Sequence, residues 1–157
     1  MQKLKHAAPG KKFKYYSFDT GYDKIFSACK KELRPISKRV ELIGSAAVRI
    51  GGKKELDIML ITDNVNEALK QCKKLGFKKK AIIGNVAYTH KMFKGMDIDL
   101  HVVKEGSSMI NYFRKTVKIQ KSKRVREEYD ELKRSMNGKS MVAYKRVKGK
   151  FFRKLMV

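Results

Sequence analysis

Apolar and polar positions alternate with period two in three places along the chain, "RVELIG", "ELDIMLIT" and "MDIDLHVV", which predicts strands with one buried face. A second period runs between them. "DTGYDKIFSACKKEL" sets Ile25, Phe26, Cys29 and Leu33 at helical spacing and stops before Pro35. "VNEALKQCKKLGF" does the same with Val65, Ala68, Leu69 and Cys72, after an Asp63-Asn64 start and before a Gly76 C-cap. The stretch from Lys78 to Val103 predicts two or three strands, with turns near Gly84-Asn85 and Lys94-Gly95. Beyond Gly106 the period is helical throughout: "SSMINYFRKTV", "SKRVREEYDELKRSM" and "KSMVAYKRVKGKFFRKLM", with Ser107 and Ser122 as N-caps. The expected architecture is α+β, a mixed-sheet half followed by a helical C-terminal part over residues 107–157. One domain over residues 1–157 is expected, with residues 1–16 a basic N-terminal arm or an edge element.

Charge changes this picture more than composition does. The 157 residues hold 39 Lys and Arg against 15 Asp and Glu, a formal +24. A field of that sign favours polyanions, so RNA or DNA is an expected partner through the basic surface. Cys29 and Cys72 lack metal-ligand spacing and read as buried thiols of a reducing compartment. No stretch is long and apolar enough for a signal peptide or a membrane span, so a cytoplasmic location and no membrane partner are expected. Nothing in the pattern sets an oligomeric state.

The chemistry sits in the strands. Residues two apart in a strand point to one face, so Glu55 shares a face with Asp57, and Asp97 with Asp99 and His101. Carboxylates amid apolar residues are costly unless paired or bound to a cation. Hard oxygen ligands from two strands suit Mg²⁺, or Mn²⁺, which takes its remaining ligands from water and substrate phosphates. The Gly44-Ser45 turn fits beside them, because glycine lets the backbone approach a phosphate and serine adds a donor. Acids on an edge strand that merely pair with lysines are the plainer alternative.

At this point the segments become specific. "ELIGSAAV" followed by "LDIMLI" resembles the G-S-T-A-V segment and downstream I-D-I strand of the GrpB family, within the polymerase-beta-like nucleotidyltransferase superfamily. "DLHVV" resembles its H-L-H-V, "SSMINYFRK" its serine-containing aromatic helix, and "EEYDELK" and "AYKRVKGKFF" its C-terminal Y-x-x-L-K and Y-x-x-x-K segments. The resemblance runs from about Val40 to the C-terminus. It implies a mixed-sheet nucleotidyltransferase core in which Gly44 and Ser45 hold a nucleoside triphosphate. Asp57 is then the firmest strand acid, and Asp99 or Asp97 the third carboxylate. The superfamily's second acid falls on Met59, for which Glu55 is the substitute within one strand step. Ala46 replaces the family threonine, and Val48-Arg49-Ile50 stands in place of V-P-G.

The resemblance thus implies a metal-dependent nucleotidyltransferase, with Asp57 and Asp99 catalytic and Glu55, Asp57, Asp97 and Asp99 as metal ligands. It would move a nucleoside monophosphate to an acceptor the sequence does not name. The alternative is a non-catalytic nucleic-acid-binding module on a decayed core of the same fold. His101 contacts metal or substrate, or is packed at a strand end. Tyr112, Phe113, Arg114, Tyr144 and Lys145 line an acceptor groove, or belong to the core.

Overall fold

The structure, a computed structural model, describes residues 10–156. Residues 1–9 of the expected basic arm lie outside the described residues. Helix α1 (Gly21–Leu33) leads into strand β1 (Val40–Ile43), the four-residue helix α2 (Gly44–Ala47) and strand β2 (Glu55–Thr62). Helix α3 (Val65–Lys74) follows, then strands β3 (Lys78–Ile83), β4 (Val86–Phe93) and β5 (Met96–Lys104). Helices α4 (Ser108–Gln120), α5 (Lys123–Ser135) and α6 (Met141–Leu155) complete the chain. The fold is α+β, a mixed sheet with a helical C-terminal part.

Strand order is β1-β2-β5-β4-β3, with β2 and β5 parallel and every other pair antiparallel. The meander from β3 to β5 turns at Gly84-Asn85 and at Lys94-Gly95. In the second turn both residues have positive φ, 49° and 78°, the twist that matches a tight hairpin.

Alternation decides which side chains go where. Leu56, Ile58 and Leu60 of β2, with Ile98, Leu100 and Val102 of β5, pack in one core with Cys29 and Leu33 of α1 and Ala68 and Cys72 of α3. On the opposite face Met59, Ile61 and Val103 pack with Ile110 of α4. The C-terminal halves of β2 and β5 are therefore buried on both faces, so the expected alternation with one buried face holds only for the first half of β2 and gives way to the apolar run "IMLI" in the second. The N-terminal halves of the two strands carry the acids. Cys29 and Cys72 are free and buried, and burial pushes both thiols up to about 11.

The caps follow the sequence. Asn64 accepts from the Glu67 amide, Ser107 from Met109 and Ser122 from Val125. Ser140, which the periodicity does not single out, caps α6 through Ala143. Around residue 13 the basic stretch is laid against the C-terminal part: Phe13 donates its amide to the Lys139 carbonyl at 2.8 Å and stacks on Tyr144 with ring centroids 3.8 Å apart. The edge strand β3 carries Lys78, Lys79 and Lys80 in succession, charges that discourage pairing with another chain.

Candidate functional site

The parallel register aligns the acids in rows. Asp57 stands directly beside Asp99, and Glu55 beside Asp97, so all four project from one face of the sheet. One carboxylate oxygen from each of Glu55, Asp57 and Asp99 lies within 4.8 Å of the others. Asp97 is not in that cluster; its Oδ1 lies 3.8 Å from His90 Nδ1 on β4. Met59, one step on from Asp57, is fully buried beneath α4. Of the acids named from the sequence, Glu55, Asp57 and Asp99 thus come together.

Two lysines and a histidine sit against the cluster. Lys53 Nζ is 3.2 Å from Glu55, Lys80 pairs with Asp99, and His101 Nε2 is 3.8 Å from Asp57. Lys80 reaches Asp99 because the β3–β4 register shifts between Lys79 and Ala81. Such a bulge re-aims the side chain at the extra residue. The environment then splits the carboxylates. Burial and the Asp57 charge push the Glu55 carboxyl up, against Lys53. Burial also acts to raise Asp57, but His101 and the charges of Lys148 and Lys53 outweigh it and hold that carboxyl below its ordinary value. Lys148 on α6 is the counterpart: burial acts to lower it, while Tyr144, Asp57 and Glu55 raise it. Like charges this close cannot all ionise cheaply without a cation among them.

The glycine turn is built against the same acids. Gly44 has φ +70°, and a Cβ there would lie 2.5 Å from Asp57 Oδ2. Only glycine fits. Ser45 Oγ accepts a hydrogen bond from Lys133 Nζ, which also donates to the Gly51 carbonyl at 2.9 Å and lies 4.2 Å above the Tyr129 ring. Lys133 is buried, and burial, followed by the Lys148 charge, pushes its ammonium down to about 7.

Lys133, Lys148 and Lys80 are the site residues that sequence reasoning missed. For two of them a signal existed: Tyr129 and Lys133, like Tyr144 and Lys148, stand four apart on a helix, which places ring and ammonium on one face. Of the expected groove residues, Tyr144 is buried, Phe113 packs edge-on against His101 at 5.3 Å and Arg114 pairs with Glu41. Tyr112 is exposed.

The lowered Lys133 ammonium carries a sign. Between about pH 7 and its ordinary 10.5, the unfolded chain binds the proton that the folded chain has released, so stability rises with pH across that window. Below it the full cost of the buried charge is in force. We expect Lys133→Met to gain on wild type at pH 6 and to lose that gain by pH 9, measured as denaturant midpoints. Parallel pH profiles would show that the ammonium is not strained.

Comparison with known proteins supplies the remaining facts. The GrpB protein family matches residues 14–157. Among solved structures, the conserved protein GrpB from Enterococcus faecalis superposes with a TM-score of 0.67 at 16% identity, over 77% of this chain and 81% of that one. At that identity the likeness shows the fold. The Cid1 poly(U) polymerase with Mg and 3'-dATP bound matches at TM-score 0.47 and 12% identity, over 67% of this chain and 38% of that one. A cytoplasmic RNA terminal U-transferase matches at 0.45 and 11%, over 67% and 36%. These last two likenesses are too slight to carry anything about activity. No curated protein matches the chain.

Proposed function

The chain belongs to the GrpB family, and from that premise and its clustered carboxylates we propose that it is a metal-dependent nucleotidyltransferase. It moves a nucleoside monophosphate from a triphosphate to an acceptor. One observation carries the reading: oxygens of Glu55, Asp57 and Asp99 lie within 4.8 Å of one another, beside a turn that excludes any side chain at position 44. Three hard oxygen donors at that separation fit Mg²⁺ or Mn²⁺.

When bound there, a divalent cation would neutralise phosphate charge and favour attack at phosphorus. The rest belongs to the chain. Gly44 lets the backbone come close to the triphosphate, and Ser45, oriented by Lys133, donates to it. Lys53 and Lys148 spread positive charge over the phosphates, which aligns them without covalent help. The acceptor oxygen bonds to the α-phosphorus, the bond to the bridging oxygen of the β-phosphate breaks, and diphosphate leaves. The acceptor proton passes to one of the three carboxylates.

Labelled nucleoside triphosphates incubated with the purified protein, Mg²⁺ or Mn²⁺ and cellular RNA or protein fractions test this. Metal-dependent transfer of label, lost on chelation, is expected. No transfer, with triphosphate binding indifferent to metal, would remove the reading. The second reading, a non-catalytic nucleic-acid-binding module on a decayed core, draws on the buried apolar Met59 and on the +24 charge. It predicts nucleic-acid binding that metal does not alter.

A further inference from the structure

Lys133 keeps 1% of its surface, yet its contacts are not those of an ion pair. The nitrogen is held in three directions, by Ser45 Oγ, by the Gly51 carbonyl at 2.9 Å and by the Tyr129 ring at 4.2 Å. An ammonium has three donors and no acceptor, so each direction takes one proton. The loop that carries the carbonyl is fixed in place. Gly52 exchanges backbone hydrogen bonds of 2.8 and 3.0 Å with Tyr16, and a Cβ on Gly52 would lie 2.8 Å from Lys133 Nζ. The Tyr15 ring packs against Gly51 and is anchored by a 2.6 Å hydrogen bond from its hydroxyl to Asp130, three residues before Lys133 on α5.

The three partners differ in one respect. A carbonyl oxygen and the face of a ring only accept, whereas a serine hydroxyl both accepts and donates. While Lys133 is an ammonium, Ser45 Oγ accepts from it and the hydroxyl proton is left for another acceptor. When Lys133 gives up one proton, its two remaining N–H bonds stay on Gly51 and Tyr129, and the lone pair faces Ser45. The hydroxyl proton then turns inward. Burial brings this change close to neutrality, since it pushes the ammonium down to about 7. Of the charges that face it, Lys148 on α6 and Lys53 in the loop before β2 lower it, while Asp57 of β2 and Asp130 of α5 raise it. Burial pushes the nearby Tyr129 and Tyr144 hydroxyls up, so both stay neutral as Lys133 titrates.

We propose that Lys133 is a positioning residue that sets the polarity of Ser45: as an ammonium it leaves the hydroxyl proton for a bound phosphate, and as an amine it takes that proton for itself. That the phosphate belongs to a nucleoside triphosphate rests on the nucleotidyl-transfer reading; the polarity of Ser45 does not.

The test measures binding of inorganic tripolyphosphate with Mg²⁺ to the full chain between pH 6 and pH 9, in wild type and in Ser45→Ala. The charge of the probe changes alike for both, so the ratio of the two affinities isolates the hydroxyl. Wild type should bind about 10-fold more tightly than Ser45→Ala at pH 6, and about twofold or less by pH 9. A bound phosphate then holds the proton on Lys133. Followed through the side-chain nitrogen resonance of labelled lysine, the Lys133 midpoint should rise on adding tripolyphosphate, by about one pH unit more in wild type than in Ser45→Ala. A lysine with only a structural role would leave the affinity ratio flat. A flat ratio, or a Lys133 resonance that does not titrate between pH 6 and pH 9, overturns the proposal. A ratio that falls with pH, in a protein that transfers no nucleotide, keeps the polarity of Ser45 and removes the transfer reading. Transfer with a flat ratio does the reverse, and no binding of tripolyphosphate at any pH overturns both.

Discussion

Asp57→Asn should lose metal-dependent nucleotide transfer by about a thousandfold or more, because the change deletes one anionic ligand from a three-carboxylate cluster and with it the clamp on developing charge. The amide keeps the size of the side chain and its place between Ile43 and Asp99 in the sheet. Gly44 should still pack against it. Nucleic-acid binding should stay within about twofold, since it arises from many lysines and from none of the acids. Rates with labelled triphosphate, read beside strand affinity, separate the two effects. Equal activity in mutant and wild type would mean that Asp57 holds no metal in the reaction.

Met59→Asp should destabilise the fold by about 3 kcal/mol or more. The sequence pattern makes this position attractive, because the resemblance drawn from the sequence puts a second acid there and an aspartate would complete a D-x-D pair. The structure gives it another place. Met59 has no exposed surface and packs with Ile43, Ile61, Val103 and Ile110 beneath α4, where a carboxylate would be cut off from water and would displace apolar contacts. A large fall in denaturant midpoint with no gain in Mn²⁺ affinity is the expected pair of results. A folded variant that binds Mn²⁺ more tightly would mean that α4 yields and that position 59 belongs to the site.

The contrast between Asp57 and Met59 marks where the sequence stops being legible. Period two puts both on one face, and that was correct. Which part of the face α4 covers depends on packing between segments some fifty residues apart, and no local period encodes it. The helices, the hairpin turns and the Ser107 and Ser122 caps could be read because their causes lie within a few residues. The pairing of β2 with β5, which sets Asp57 beside Asp99, needed the whole meander. Helix α2 is four residues long, too short to show a period, and reads only as a glycine turn. Lys133 was hidden for a different reason. It is one of 39 basic residues, and only its burial beside Ser45 and the Gly51 carbonyl sets it apart. Lys80 needed a bulge that its Lys-Lys-Lys context does not announce.

The central claim is that Glu55, Asp57 and Asp99 hold a divalent cation, and a Mn²⁺ titration of the purified chain followed by paramagnetic resonance tests it most directly. With and without a non-hydrolysable nucleoside triphosphate, wild type should take up Mn²⁺ more tightly when the triphosphate is present, because its phosphates complete the ligand set. Asp99→Asn should lose most of that uptake in both conditions. Wild type and Asp99→Asn that bind Mn²⁺ alike, or not at all, with the triphosphate present would contradict the claim.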